Sequence, residues 1–425
     1  MSLQPLLESL LGTDVPVRVT AYDGSSIGPP DAPATVVVRN PAAVQRIVTG
    51  LGREIAFARA YVAGDVDIDG DIYAVLALRR HFGTLRPSIP AMRQAAQALD
   101  LGHKGALARI RPLPPPDEEI RLRGRRHTKV RDARAIASHY DVSNDFYRMV
   151  LGPSMTYSCA VFEHDDDPLE RAQSNKYELI CRKLALRPGM RLLDIGCGWG
   201  GMVLHAARHH GVQAVGVTIS VAQAELARKR VVDAGLADLV EIRVEDYRDV
   251  HDGPYDAVSS IGMFEHVGVD HLAEYFGQIG RLLRPGGRLL NHGICRPGGA
   301  KGSISRRGFI NRYVFPDGEL VEVGRVISAL QDQGLEVRHS EGLREHYAMT
   351  LRRWVANLEA NWDSATQEVG APRARIWRLY MAGSALAFEA GHNQIHQVLA
   401  VAPEGGRSGV PLRLDFDGDG LTPPR

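Results

Sequence analysis

The stretch "LLDIGCGWGGMVLHAARHHG", which begins at Leu192, constrains the fold more than any other part of the chain. A short apolar run ends in Asp194, and glycines 196, 198, 200 and 201 then separate it from a helix-patterned segment. A buried strand, a turn nearly without side chains and a helix form the opening unit of a doubly wound α/β sheet. Downstream the pattern continues. Strands are predicted at 191–195, 213–217, 240–244, 255–260 and 287–293, with helices near 200–209, 221–234 and 271–283. "LRPGGRLL" reads as a turn delivering the last of these strands, and further helices are predicted at 319–333, 348–362 and 372–390.

At 425 residues the chain exceeds one ordinary domain. Residues 1–110 read as a small α/β unit with no ligand signature of its own. The Pro-rich and basic segment 111–130 reads as a linker, 131–402 as the main domain, and 403–425 as a flexible Gly-, Pro- and Asp-rich tail. No stretch approaches the roughly 20 apolar residues of a membrane span. The N-terminus has no basic segment ahead of its leucines, which argues against a secretory signal. The cysteines Cys159, Cys181, Cys197 and Cys295 have no metal-binding spacing, so a reduced cytoplasmic protein without structural metal is expected. A net charge of +1 speaks against a nucleic-acid partner. Residues 121–134, "RLRGRRHTKVRDAR", carry seven Lys or Arg against one Asp, which suits either a solvated surface or contact with anionic phospholipid.

Two cofactors compete for the glycine turn. A nicotinamide site usually carries an acidic residue at the end of the second strand. Here that strand, "QAVGVTIS", ends in Thr218 and Ser220. S-Adenosylmethionine has a charged amino-acid half and no pyrophosphate, so Asp194 beside the turn suits it better. Gly196, Gly198 and Gly200 would let the backbone approach the ligand. In "EDYRD", Asp246 is positioned to accept from an adenine amino group and Tyr247 to lie against the ring.

The motifs "HYDVSNDFY" at His139, "MTYSCAVFE" at Met155, "LLDIGCGWGG" at Leu192, "GVTIS" at Gly216, "MFEHVG" at Met263, "LRPGG" at Leu283 and "HYAMTLRRW" at His346 appear in one order. In that series, over about residues 130–402, the chain resembles the cyclopropane-fatty-acyl-phospholipid synthase family, which includes the mycolic acid cyclopropane synthases. The resemblance implies a class I S-adenosylmethionine-dependent methyltransferase (Rossmann-like) fold. It further implies methyl transfer to the cis double bond of an unsaturated phospholipid acyl chain, through a carbocation that loses a proton. It assigns Cys159, Glu265, His292, Ile294 and Tyr347 to a bicarbonate proton acceptor. Tyr157 and Ser158 go to the methionine part of the cofactor, Thr218 and Gln223 to its ribose side, and His139 with Tyr140 to a lid.

Where the family often has "YSCGYW" and a His-Thr pair, this chain has "YSCAVF" and His292 followed by Gly293. Smaller side chains at Ala160, Val161 and Gly293 are expected to enlarge or reshape the acyl site and favour a methylene branch. The product would be 10-methylene stearoyl from oleoyl, which a separate reductase would saturate. Cyclopropane closure is the alternative, and a small-molecule methyltransferase a more remote one. Peripheral contact with the inner face of the membrane is expected through the basic run and the loop carrying Arg296, Lys301, Arg306, Arg307 and Arg312, with Phe309 and Ile310 entering lipid. A homodimer is compatible with this reading.

Overall fold

The computed structural model describes residues 2–12, 14–50, 54–78, 111–121, 131, 143–299, 305 and 307–416. His139, Tyr140, Lys301, Arg306 and nearly all of the basic run lie outside the described residues. The chain divides into two compact units that are not consecutive in sequence. One comprises Met1–Arg121, Ser305–Pro316 and Asn361–Leu386; the other comprises Leu122–Ile304, Asp317–Ala360 and Ala387–Arg425.

The first unit is built on a four-stranded sheet in the order β2-β1-β3-β4, formed by Arg18–Ala21 (β1), Ser26–Ile27 (β2), Ala34–Val38 (β3) and Val66–Gly70 (β4). Asn40 opens the helix Pro41–Thr49 by accepting from the N–H groups of Ala42 and Ala43, while Pro41 supplies a preset φ at the first turn. Residues 111–121, the segment read as a linker, are fastened within this unit. The Glu119 side chain, 1% exposed, accepts from Arg59 at 2.8 Å and also pairs with Arg312. A carboxylate so deeply buried needs such partners.

The second unit holds a seven-stranded sheet in the order β10-β11-β9-β8-β5-β6-β7. Its strands are Arg191–Ile195 (β5), Gln213–Thr218 (β6), Val240–Val244 (β7), Tyr255–Ile261 (β8), Leu283–Cys295 (β9), Glu336–Gly342 (β10) and Gln394–Val401 (β11). Neighbours from β9 to β7 run parallel, and β11 lies antiparallel between β9 and β10. β5 and β6 are apolar because both faces are covered: Leu193 and Ile195 belong to one buried cluster, Leu192 and Ala214 to the other. β9 begins earlier than expected. Tyr255 pairs with Leu283 but Ala257 with Arg288, so the Arg-Pro-Gly-Gly segment is a bulge within the strand.

The strand order reverses at β5, which is flanked by β6 and β8. A crevice therefore opens at the C-terminal end of β5, at the glycine turn.

Candidate active site

The turn after β5 is left-handed at three glycines, with φ of +77° at Gly196, +53° at Gly198 and +81° at Gly200, a conformation that glycine adopts at no steric cost. A Cβ on Gly198 would meet nothing within 4 Å, and Gly198 lines a cavity. Gly200 does not line the cavity; it starts the helix Gly201–His210 and packs toward Ala227. Gly201 lets Tyr177 come close, since a Cβ there would stand 2.1 Å from the phenolic oxygen.

Tyr157, Ser158, Asp194, Gly196, Gly198, Thr218, Gln223, Asp246 and Tyr247 all line this cavity. Ser220 caps the helix Val221–Asp233 and so brings Gln223 beside Thr218. Thr218 Oγ1 donates to Gln223 Oε1 at 2.9 Å, which leaves the Gln223 amide N–H groups for a ligand. Asp246 receives the Arg248 backbone N–H at 3.0 Å and its guanidinium at 2.6 Å. Tyr247 packs edge-on against Tyr275, ring centroids 4.9 Å apart. Burial holds Asp194 up to about 6, opposed by a 2.7 Å hydrogen bond from Ser259. Arg230 ties the segment between the helices Asn144–Leu151 and Leu169–Leu184 to the turn, donating to the carbonyls of Ser154 (2.9 Å) and Trp199 (2.6 Å).

None of Cys159, Glu265, His292, Ile294 and Tyr347 lines the cavity. Glu265 sits on the short helix Phe264–Val267, whose His266 and Val267 do line it. Glu265 Oε1 accepts from the Ile294 N–H at 2.6 Å, while its buried Oε2 has no partner. The Ile294 N–H is thus committed to orienting the carboxylate and is not available to an ion directly. Burial raises Glu265 to about 7.

His292 is buried, and burial pushes it well below its ordinary value, so the ring is neutral. Its tautomer follows from a chain of contacts. Lys183 Nζ donates to Gln397 Oε1 at 2.7 Å, so the Gln397 amide N–H points at His292 Nδ1, 3.4 Å away. His292 Nε2 therefore carries the hydrogen, and it too is buried without a partner. Cys159 is fully buried, with its thiol pushed up by burial and turned toward the carbonyls of Ala160 (3.2 Å) and Leu343 (3.7 Å). A thiol so buried is no nucleophile. Tyr347 packs against Phe388, ring centroids 4.8 Å apart.

Sequence reading missed Lys176 and Gln173, both wholly buried on the helix Leu169–Leu184. The signal was present: both fall on the stripe of Ala172, Tyr177 and Ile180 that faces the core. Elsewhere, Cys181, His205 and His210 bring potential metal-ligand atoms within 4.8 Å of one another. Both imidazole Nε2 atoms meet Glu178 Oε2, at 3.3 and 3.0 Å, and none of these residues lines the cavity.

The expected space at Gly293 is filled. A Cβ there would lie 2.0 Å from the Phe264 ring, so the glycine is the floor on which that ring rests. Gly293→Ala is expected to lower stability by about 1–3 kcal/mol through overpacking, read as a lower urea midpoint with unchanged slope. An unchanged midpoint would mean that Phe264 is free to move aside.

The family model for mycolic acid cyclopropane synthetase matches residues 127–398. The chain is 48% identical to the probable fatty acid methyltransferase Rv3720 of Mycobacterium tuberculosis, across 97% of this chain and 98% of that protein. It is 33% identical to the tuberculostearic acid methyltransferase UfaA1 of the same organism, across 91% and 87%. Among solved structures, the mycolic acid cyclopropane synthase CmaA1 complexed with SAH and CTAB superposes with a TM-score of 0.60 at 34% identity, covering 63% of this chain and 97% of that one.

Proposed function

The chain belongs to the mycolic acid cyclopropane synthetase family of S-adenosylmethionine-dependent methyltransferases, and on that premise we propose that it methylates the cis double bond of an unsaturated phospholipid acyl chain, yielding a methylene branch. Oleoyl lipid would give the 10-methylene stearoyl chain. The observation that carries the reading is a pair of buried polar atoms without hydrogen-bond partners, Glu265 Oε2 and His292 Nε2–H. One accepts and the other donates. Bicarbonate offers a hydroxyl to the first and an oxygen to the second, so these residues fit it.

When bound, S-adenosylmethionine supplies an electrophilic methyl group and bicarbonate a proton acceptor. The chain supplies the rest. The glycine turn, Gln223 and Asp246 hold the nucleoside, and Tyr157 with Ser158 holds the methionine half. Glu265, fixed by the Ile294 N–H, orients the acceptor and adds negative charge beside a developing cation. His292 Nε2–H and the Tyr347 hydroxyl fix the acceptor from other sides, and Cys159 helps exclude water.

Which proton leaves decides between methylene and ring. About 1.4 kcal/mol between two deprotonation barriers gives a tenfold preference. The Phe264 ring fills the place of a side chain at Gly293 and adjoins Glu265 in sequence, which supports a displaced acceptor and the methylene product. Proton NMR of the lipid product is expected to show vinylidene signals. Upfield cyclopropane signals without them would establish ring closure instead.

The enzyme would reach its lipid from the cytoplasmic face as a peripheral protein; among the described residues no helix is long and apolar enough to cross a membrane. Several charges first considered for the headgroup are engaged within the protein: Arg131 with Asp317, Arg296 with Glu322 and Arg312 with Glu119. Phe309 is buried at 4% exposure and is not a lipid anchor. Arg121 and Arg307, which are exposed, remain for an anionic surface, and most of the basic run lies outside the described residues. Sedimentation with anionic vesicles is expected to exceed that with neutral ones at low salt and to fall as salt screens exposed charge beyond about 8 Å. Equal sedimentation with both would reject the electrostatic contact.

A further inference from the structure

Lys176 is 0% exposed, yet it lines the cofactor cavity. Its ammonium donates to Ser158 Oγ at 3.0 Å and stands 3.7 Å from the Tyr177 ring centroid. Among the described residues no carboxylate comes within ion-pair distance of it. Holding the serine does not require a charge: Gln173 Nε2, from the same helix, already donates to the Ser158 carbonyl at 2.9 Å. A buried ammonium without a counter-ion is costly and calls for a negative partner.

Asp194 presents the opposite case in the same cavity. It is 2% exposed, its one hydrogen bond comes from Ser259, and it acts on Lys176 only through space. A buried amine and a buried carboxylate thus line one cavity without a hydrogen bond or ion pair between them. An α-amino acid zwitterion has the charges to satisfy both.

We propose that Lys176 is the counter-ion for the α-carboxylate of the methyl donor, with Ser158 Oγ as a second donor and Asp194 receiving the α-ammonium. The proposal rests on the assignment of this cavity to S-adenosylmethionine and names the part of the site that reads its amino-acid half. Burial lowers Lys176 to about 7, so a bound carboxylate would draw a proton onto it. Lys176 acts on ligand affinity, and the Glu265 and His292 apparatus on turnover.

The test is calorimetry with two ligands, S-adenosylhomocysteine and its decarboxylated analogue, which differ only in the carboxylate. Wild type is expected to bind the first about 100-fold more tightly. Lys176→Met, which retains the length and apolar bulk of the stem, is expected to weaken S-adenosylhomocysteine about 100-fold and the analogue less than about threefold. Equal weakening of both ligands, or of neither, would overturn the role.

Proton uptake by the unmutated protein gives a second reading. Among the described residues the titratable groups near Lys176 are Asp194 from β5, Cys159 from the segment before its helix, Tyr177 from its own helix and His292 from β9. At pH 8 Asp194 is ionised, His292 is neutral, and Cys159 and Tyr177 hold their protons, so Lys176 alone among them is expected to take one up. Most of a proton is expected per S-adenosylhomocysteine bound and close to none for the analogue. The same uptake with both would count against Lys176, and a wild type that bound neither ligand would remove the cofactor assignment and this role with it.

Discussion

Glu265→Gln is expected to lower kcat about 100- to 1,000-fold while the dissociation constant for S-adenosylhomocysteine stays within about twofold of wild type. The split follows from position. Glu265 does not line the cavity, so no direct contact with the cofactor is expected of it, and its hydrogen bond from the Ile294 N–H leaves the second oxygen without a partner. Gln can still accept from the Ile294 N–H and keeps the shape of the side chain. What it lacks is the negative charge that orients the acceptor and stabilises a cation.

The pH profile adds a signature. Because burial raises Glu265 to about 7, the carboxylate is lost as pH falls through that value, and kcat/KM of the wild type is expected to fall with it. Asp194 and Lys176 titrate nearby, so the assignment is made by the variant: its residual activity should lack the limb near 7. Full activity in Glu265→Gln, or an unchanged limb, would detach this residue from the chemistry.

The second large effect is at Gly198, where substitution acts twice. The backbone is left-handed, with φ of +53°, and Gly198 lines the cavity, where a leucine side chain is expected to take up ligand space. Gly198→Leu is expected to weaken cofactor binding more than about 100-fold and to cost about 1–2 kcal/mol of stability. Gly235→Leu separates the two contributions. Gly235 has φ of +66° and open space around its Cβ position, and it does not line the cavity. It should lose comparable stability and keep its affinity. Retained binding in Gly198→Leu would mean that the ligand lies elsewhere.

The strands β5 to β8 were legible to within a residue because parallel strands covered on both faces appear as apolar runs, and the glycine turn fixes their phase. β10 and β11 were not read. "EVRHSEG" shows no buried face, since it ends the sheet, and β11 opens with polar residues before its apolar half. The return of residues 305–316 and 361–386 to the first unit depends on tertiary contacts that no local pattern announces.

The same distinction holds in the site. The cavity lining was legible because close backbone approach demands glycine and because motif order fixes which strand ends converge. Lys176 was missed because a lysine on a helix ordinarily belongs to a solvated face. Gly293 suggested free volume, but which neighbour fills the place of an absent side chain is decided by packing, here by Phe264. The commitment of the Ile294 N–H to Glu265 is likewise a matter of geometry across separate elements.

The most direct measurement is mass spectrometry of intact phospholipid after incubation with methyl-labelled S-adenosylmethionine and a cis-monounsaturated lipid. The account predicts one labelled one-carbon unit in the acyl chain, formed only with the unsaturated lipid and absent with its saturated counterpart. Label in the headgroup, or label equally present with the saturated lipid, would contradict it.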